Sequence, residues 1–96
     1  MQESSFEIYL SNDPSISSAK AVQSRIGKAR LAETILGMGL DDVVSDDDTM
    51  FEALRKIQSC EDPKHNPIQN AVRKYYKFVN GKEFPRMRNY HSAKHP

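Results

Sequence analysis

The clearest apolar period in the chain runs from Asn66 to Gly81, NPIQNAVRKYYKFVNG. Ile68, Ala71, Val72, Tyr75 and Val79 recur at steps of three and four, the spacing that aligns side chains along one stripe of an α-helix. Asn66 can accept a backbone N–H as a cap, Pro67 stands at the first helical position where its missing donor is not needed, and Gly81 can adopt the left-handed conformation that closes a helix. A second period, Val22, Ile26, Ala29, Ala32, Ile35 and Leu36, predicts a helix from Ser18 to Leu36. Capping hydroxyls precede it in Ser15 to Ser18, and Gly37 and Gly39 stop it, with Met38 and Leu40 expected to fold back onto the same core. Gly27 within it costs about 1 kcal/mol relative to Ala and marks either a close backbone approach or a tolerated defect. A third face, Met50, Phe51, Leu54 and Ile57, predicts a helix ending near Cys60, begun by Ser45 and Asp48 at capping-box spacing with Asp in place of Glu. Phe6, Ile8, Tyr9 and Leu10, broken by Asn12, Asp13 and Pro14, read as a short helix, with a strand as the alternative. So short a helix is not stable alone and is expected to cover the core.

These elements predict an all-α protein, a small orthogonal, SAM-like bundle of four to five helices. Its expected core is Phe6, Tyr9, Val22, Ile26, Ile35, Met50, Phe51, Leu54, Ile57, Ile68, Val72, Tyr75 and Val79. A chain of 96 residues makes one domain that buries about two-thirds of its unfolded surface. The domain is expected over 1–85. Residues 86–96 carry proline, scattered charge and no period, and are expected to form a flexible basic tail.

The formal net charge of +1 says little, but its segregation says more. Lys20, Arg25, Lys28 and Arg30 stand against Glu33 between 20 and 36, whereas Asp41 to Asp62 carries eight acids against Arg55 and Lys56. From Pro67 to Arg88 six basic residues face the single acid Glu83, with Tyr75, Tyr76, Phe78 and Phe84 interleaved. Two readings of this basic surface stand side by side. It is the ordinary solvated face of a core helix, or it contacts duplex DNA. On the second reading Lys20, Arg25, Lys28, Arg73, Lys74, Lys77, Arg86 and Arg88 meet phosphates, and Gln23, Gln69 and Asn70 are candidate base-edge readers. The rival function is a protein-interaction module, such as a small phage or mobile-element regulator. There the acidic stretch meets a basic partner and an exposed Tyr76 or Phe84 serves as an aromatic anchor.

The acid run has a local explanation, since carboxylates in a first helical turn are favoured by the helix dipole. Asp46, Asp47 and Asp48 are consecutive rather than alternating, with no glycine or terminal Glu to complete a calcium loop, so no metal is expected. The sequence holds no glycine-rich phosphate loop, no paired cysteines, no GxSxG elbow and no acid–base constellation, which argues against an enzyme and against a cofactor. Cys60 reads as a small, half-buried apolar residue. His91 and His95 have helical ligand spacing without a third ligand, and belong to the expected frayed end. No run approaches the roughly 20 apolar residues of a membrane span. A lone cysteine and the lack of a cationic-then-apolar leader are those expected of a cytoplasmic protein.

The order of a short first helix, a long helix after the Ser-rich turn (SISSAKAVQSRIGKARLAETILG), an acidic capped helix and then NAVRKYYKFVNGKEFPR resembles the N-terminal SAM-like core-binding domain of phage integrases and other tyrosine recombinases. The resemblance spans about Phe6 to Pro85. It implies a four- or five-helix bundle that clamps one face of duplex DNA through phosphates while a separate domain cuts, and it assigns Lys20, Lys28, Arg73, Lys74 and Lys77 to the DNA backbone. The arginine, HxxR and nucleophilic tyrosine of that family's catalytic domain have no counterpart here, so no nucleophilic role falls to Tyr75, Tyr76 or Tyr90. On the same reading the acids of Asp41 to Asp48 must point away from the DNA.

Overall fold

Five helices follow one another with short connections in a computed structural model of the chain, which describes residues 1–16 and 18–91. They are α1 (Glu3–Ser11), α2 (Ala19–Leu36), α3 (Leu40–Val44), α4 (Asp47–Gln58) and α5 (Pro67–Asn80), followed by a 3-10 turn at Met87–Asn89. The described residues form no strand, so the first segment is the helix of the two alternatives and the all-α class holds. The long helices α2 and α5 make the broadest contact, with α1 laid on both and α3 and α4 closing the other side.

Local chemistry sets most boundaries. Ser18 caps α2 by accepting the Ala21 N–H at 3.1 Å, and α2 and α5 both end on glycines in the left-handed region, Gly37 at φ 68° and Gly81 at φ 75°. An L-residue with a Cβ is strained in that conformation, which is why both stops read directly from the sequence. A Cβ placed on Gly27 would meet nothing within 4 Å, so this glycine is tolerated rather than required.

Two caps differ from expectation. The α4 cap is Asp46, whose Oδ2 accepts the Thr49 N–H and hydroxyl, both at 2.9 Å. Ser45 is unavailable because its hydroxyl donates to the Asp42 carbonyl at 2.8 Å and closes α3 instead. At α5 the Asn66 side chain makes no capping bond. The Glu61 carboxylate, brought round by the turn in which the His65 N–H meets the Asp62 carbonyl at 3.1 Å, accepts the Ile68 and Gln69 N–H groups at 2.8 and 3.0 Å.

The core contains the expected residues on α1, α2, α4 and α5, with Tyr9, Ile35 and Phe51 packed at its margin. Phe6 is its aromatic hub, edge-on to Tyr75 at a centroid distance of 4.9 Å and 5.5 Å from Phe78. Val79, although in line with Ile68 and Val72 on α5, is 42% exposed. In the last turn of α5 it is Phe78 that packs onto Phe6 and Tyr9. The short α3 was not expected, yet Leu40, Val43 and Val44 are fully or almost fully buried. Leu40 folds back as anticipated while Met38 stays at the surface. Cys60 is exposed rather than half-buried, because α4 ends before it and its thiol meets only the Lys56 carbonyl and the Ser59 hydroxyl.

Contacts with the bundle continue past residue 85. Phe84 is buried against Tyr76, and Tyr90 stacks between Phe51 and Phe84 at 5.1 Å from each. Residues 92–96, including His95 and the rest of the expected tail, lie outside the described residues.

The nonlocal cap generates a test. Glu61→Ala strips the acceptor from two N–H groups and is expected to destabilise the fold by about 1–2 kcal/mol, a fall in Tm of several degrees. Asn66→Ala, which removes no capping bond, is expected to change stability by less than about 0.5 kcal/mol in the same thermal melts.

Candidate nucleic-acid interface

The period that buries one side of α5 also defines the other. Asn70, Arg73, Lys74 and Lys77 follow i, i+3, i+4, i+7 and therefore share a face turned away from the stripe of Ile68, Val72 and Tyr75. On α2, Arg25 and Lys28 stand one turn apart beside the buried Ile26 and Ala29. Where the two helices pack, these faces meet along a groove. Its middle is a cleft of about 340 Å³ lined by Arg25, Asn70, Arg73, Lys74, Lys77, Glu83, Phe84 and Arg86. One end, of about 240 Å³, continues over Arg25, Lys28, Ser24 and Asn70. The other, of about 520 Å³, crosses Lys74 and Lys77 to Tyr9, Asp13 and Ser15. Six of the eight basic residues singled out in the sequence thus line one groove. Lys20, exposed in the first turn of α2, and Arg88, exposed in the 3-10 turn, line none of these hollows.

The six cations differ in what already holds them. Arg25, Lys28 and Arg86 have no carboxylate partner among the described residues. Arg73 has a structural task. Its Nη1 donates to the carbonyls of Phe84 and Pro85 at 3.0 and 3.2 Å, and its guanidinium lies over the Phe84 ring, 5.7 Å from the centroid. Burial pulls its pKa below the ordinary value, and the two carbonyls compensate the lost water. Lys74 is paired with Asp13, and Lys77 lies 3.7 Å from an exposed Glu83 carboxylate.

Of the candidate base readers, only Asn70 faces the groove. Gln69 is buried at the start of α5, and Gln23, exposed on α2, donates to Glu7 of α1 at 2.8 Å; neither lines the groove.

The acidic segment Asp41 to Asp48 lies elsewhere. Tyr75 and Tyr76 lie more than about 100° around α5 from the middle of the basic stripe, at 3.6 residues per turn. Their hydroxyls reach the acidic segment: Tyr75 donates to Asp41 at 2.5 Å and Tyr76 to Asp47 at 2.7 Å, while Tyr90 donates to Asp48 at 2.5 Å. Asp41 is held below the usual carboxylate range, chiefly by the Tyr75 hydroxyl. Burial, and then the carboxylate partner, pushes Tyr75 and Tyr76 up to about 12. Tyr90 is raised as well, mainly by its bond to Asp48.

The features assigned to an interaction module are therefore engaged internally. Tyr76 and Phe84 are 1% and 4% exposed rather than free anchors, because their rings complete the core. Asp46 caps α4, and Asp47 and Asp48 accept from the two phenols. The sequence could not reveal this, since tyrosine and aspartate separated by 29 to 42 positions give no local signal. No described helix is long and apolar enough to cross a membrane. Comparisons with family models, with curated proteins and with solved structures find no match to this chain.

The phenol–carboxylate bonds predict an alkaline transition. Tyr75 and Tyr76 have folded-state pKa values raised from 10.0 to about 12, so their stabilisation is complete below pH 10 and is lost as pH rises through about 12. Tyrosinate absorbance and helical circular dichroism followed together are expected to change over that same interval. Ionisation of both residues near 10 with the helices intact would remove these bonds from the fold.

Proposed function

We propose that the chain is a non-catalytic binder of duplex DNA that takes the phosphate backbone into the groove between α2 and α5. The observation that carries this reading is the convergence of Arg25, Lys28, Lys77 and Arg86 around Asn70 in one groove, with the acidic segment bound to tyrosines on another side of α5. A chain of nearly balanced charge can attract a polyanion only if its charges are segregated, and this arrangement supplies that condition. Cations along a groove suit phosphate positioning, and a lone amide among them suits a single contact to a base edge. The mode agrees with the pattern shared with integrase core-binding domains, which hold duplex DNA mainly by its phosphates and leave cutting to a separate domain.

Fluorescence-anisotropy titration with short random duplex DNA at about 50 and 200 mM salt tests the proposal, because each neutralised phosphate steepens the salt dependence by about 0.9 in log–log slope. Arg25→Ala and Lys28→Ala are each expected to weaken binding across all sequences and to flatten that slope by roughly one unit. Absence of binding at low salt, or slopes that ignore both substitutions, would reject the groove as a DNA site.

A further inference from the structure

The groove contains an acid that is neither a cap nor a phenol partner. Asp13, in the turn between α1 and α2, receives the Lys74 ammonium on Oδ2 and the Ser15 hydroxyl and N–H on Oδ1, at 2.7 and 2.9 Å. An ammonium, a hydroxyl and a backbone N–H converging on one oxyanion form the donor set that a phosphate oxygen would use. The carboxylate already fills it. The side chains of Asp13 and Lys74 are only 15% and 21% exposed, whereas those of Glu83 and Lys77 are 81% and 42% exposed and lie 3.7 Å apart. An exposed pair of that kind is screened and easily exchanged for another anion, whereas a shielded, multiply bonded one persists.

Resting on the duplex-binding reading of the groove, we propose that Asp13 is a specificity-determining residue. Its carboxylate occupies the phosphate position at Lys74 and ends the phosphate track there. The backbone then follows Lys28, Arg25, Lys77 and Arg86, and Lys74, although basic and in line with them, makes no phosphate contact. Asp13 also repels any phosphate approaching that end, which fixes how far the duplex extends along α5.

Anisotropy titrations on the full chain with random duplex DNA, between about 50 and 200 mM salt, decide the matter through Asp13→Asn, Lys74→Ala and the double variant. Asparagine keeps an acceptor for Ser15 while removing the charge. Asp13→Asn is expected to tighten binding on the order of tenfold at 50 mM salt and to steepen the slope by about 0.9, the signature of one added phosphate contact. Lys74→Ala alone is expected to leave the slope unchanged, and in the Asp13→Asn background to abolish the gain. Should Asp13→Asn lose its helical circular dichroism, Asp13→Ser carries the same comparison. Natural binding with no effect of Asp13→Asn, or a slope already flattened by Lys74→Ala alone, overturns it while the groove stands as a DNA site. Silence of both the natural chain and Asp13→Asn at low salt overturns both.

Discussion

Two adjacent tyrosines in α5 must bury their rings and still satisfy their hydroxyls, and much of the bundle is arranged to let them. A buried phenol without a partner loses its hydration for nothing in return. Here the partners are Asp41, at the start of α3, and Asp47, at the start of α4. Both carboxylates also lie in first helical turns, where the helix dipole favours negative charge. The same bonds therefore stabilise two helix starts, seal one side of α5 and tie α3 and α4 to it. With that side committed to carboxylates, the opposite side of α5 is left free to be basic.

This division explains how a chain of nearly zero net charge can present a basic groove. The acids of Asp41 to Asp48 are held by phenol hydroxyls, helix starts and, at Asp41, the N-terminal ammonium rather than by the cations of the groove, so they neutralise little of it. The cations of the groove are in turn sorted by what touches them. Arg73 is fixed to the carbonyls of the segment that follows α5, and Lys74 to the first interhelical turn. Arg25, Lys28 and Arg86 remain available to an external anion. Counting basic residues overstates such a surface, because a guanidinium spent on a carbonyl pair positions backbone before it attracts phosphate.

The helices α2 and α5 were legible because each carries several turns of unbroken period and ends on a glycine whose left-handed conformation few other residues accept. The helix α3 was not, since five residues with acids between Leu40 and Val43 give too little period to register. Caps were legible only where local. Ser18 acts within three residues, but Glu61 reaches α5 from across a turn, and spacing along the chain points to Asn66 alone. In the groove, the i, i+3, i+4, i+7 run of Asn70, Arg73, Lys74 and Lys77 could be read directly, and so could the turn-spaced Arg25 and Lys28. What each cation meets could not, because Asp13, Phe84 and Pro85 arrive from other parts of the chain. The burial of Tyr76 and Phe84 was hidden for the same reason: amphipathic aromatics read equally well as anchors or as core until their hydroxyl and ring partners are known.

The ring of Phe6, set against Tyr75 and Phe78, has a consequence for the order of assembly. It joins segments some seventy positions apart, and α2 likewise finds its main partner only in α5. Closing so long a loop is paid in chain entropy before any contact returns it. During synthesis the first four helices emerge before α5, and although α1 can meet α2 and α3 can meet α4, Phe6 lacks Tyr75 and Phe78 until α5 follows. The aromatic hub is therefore completed only when α5 docks against the helices that precede it.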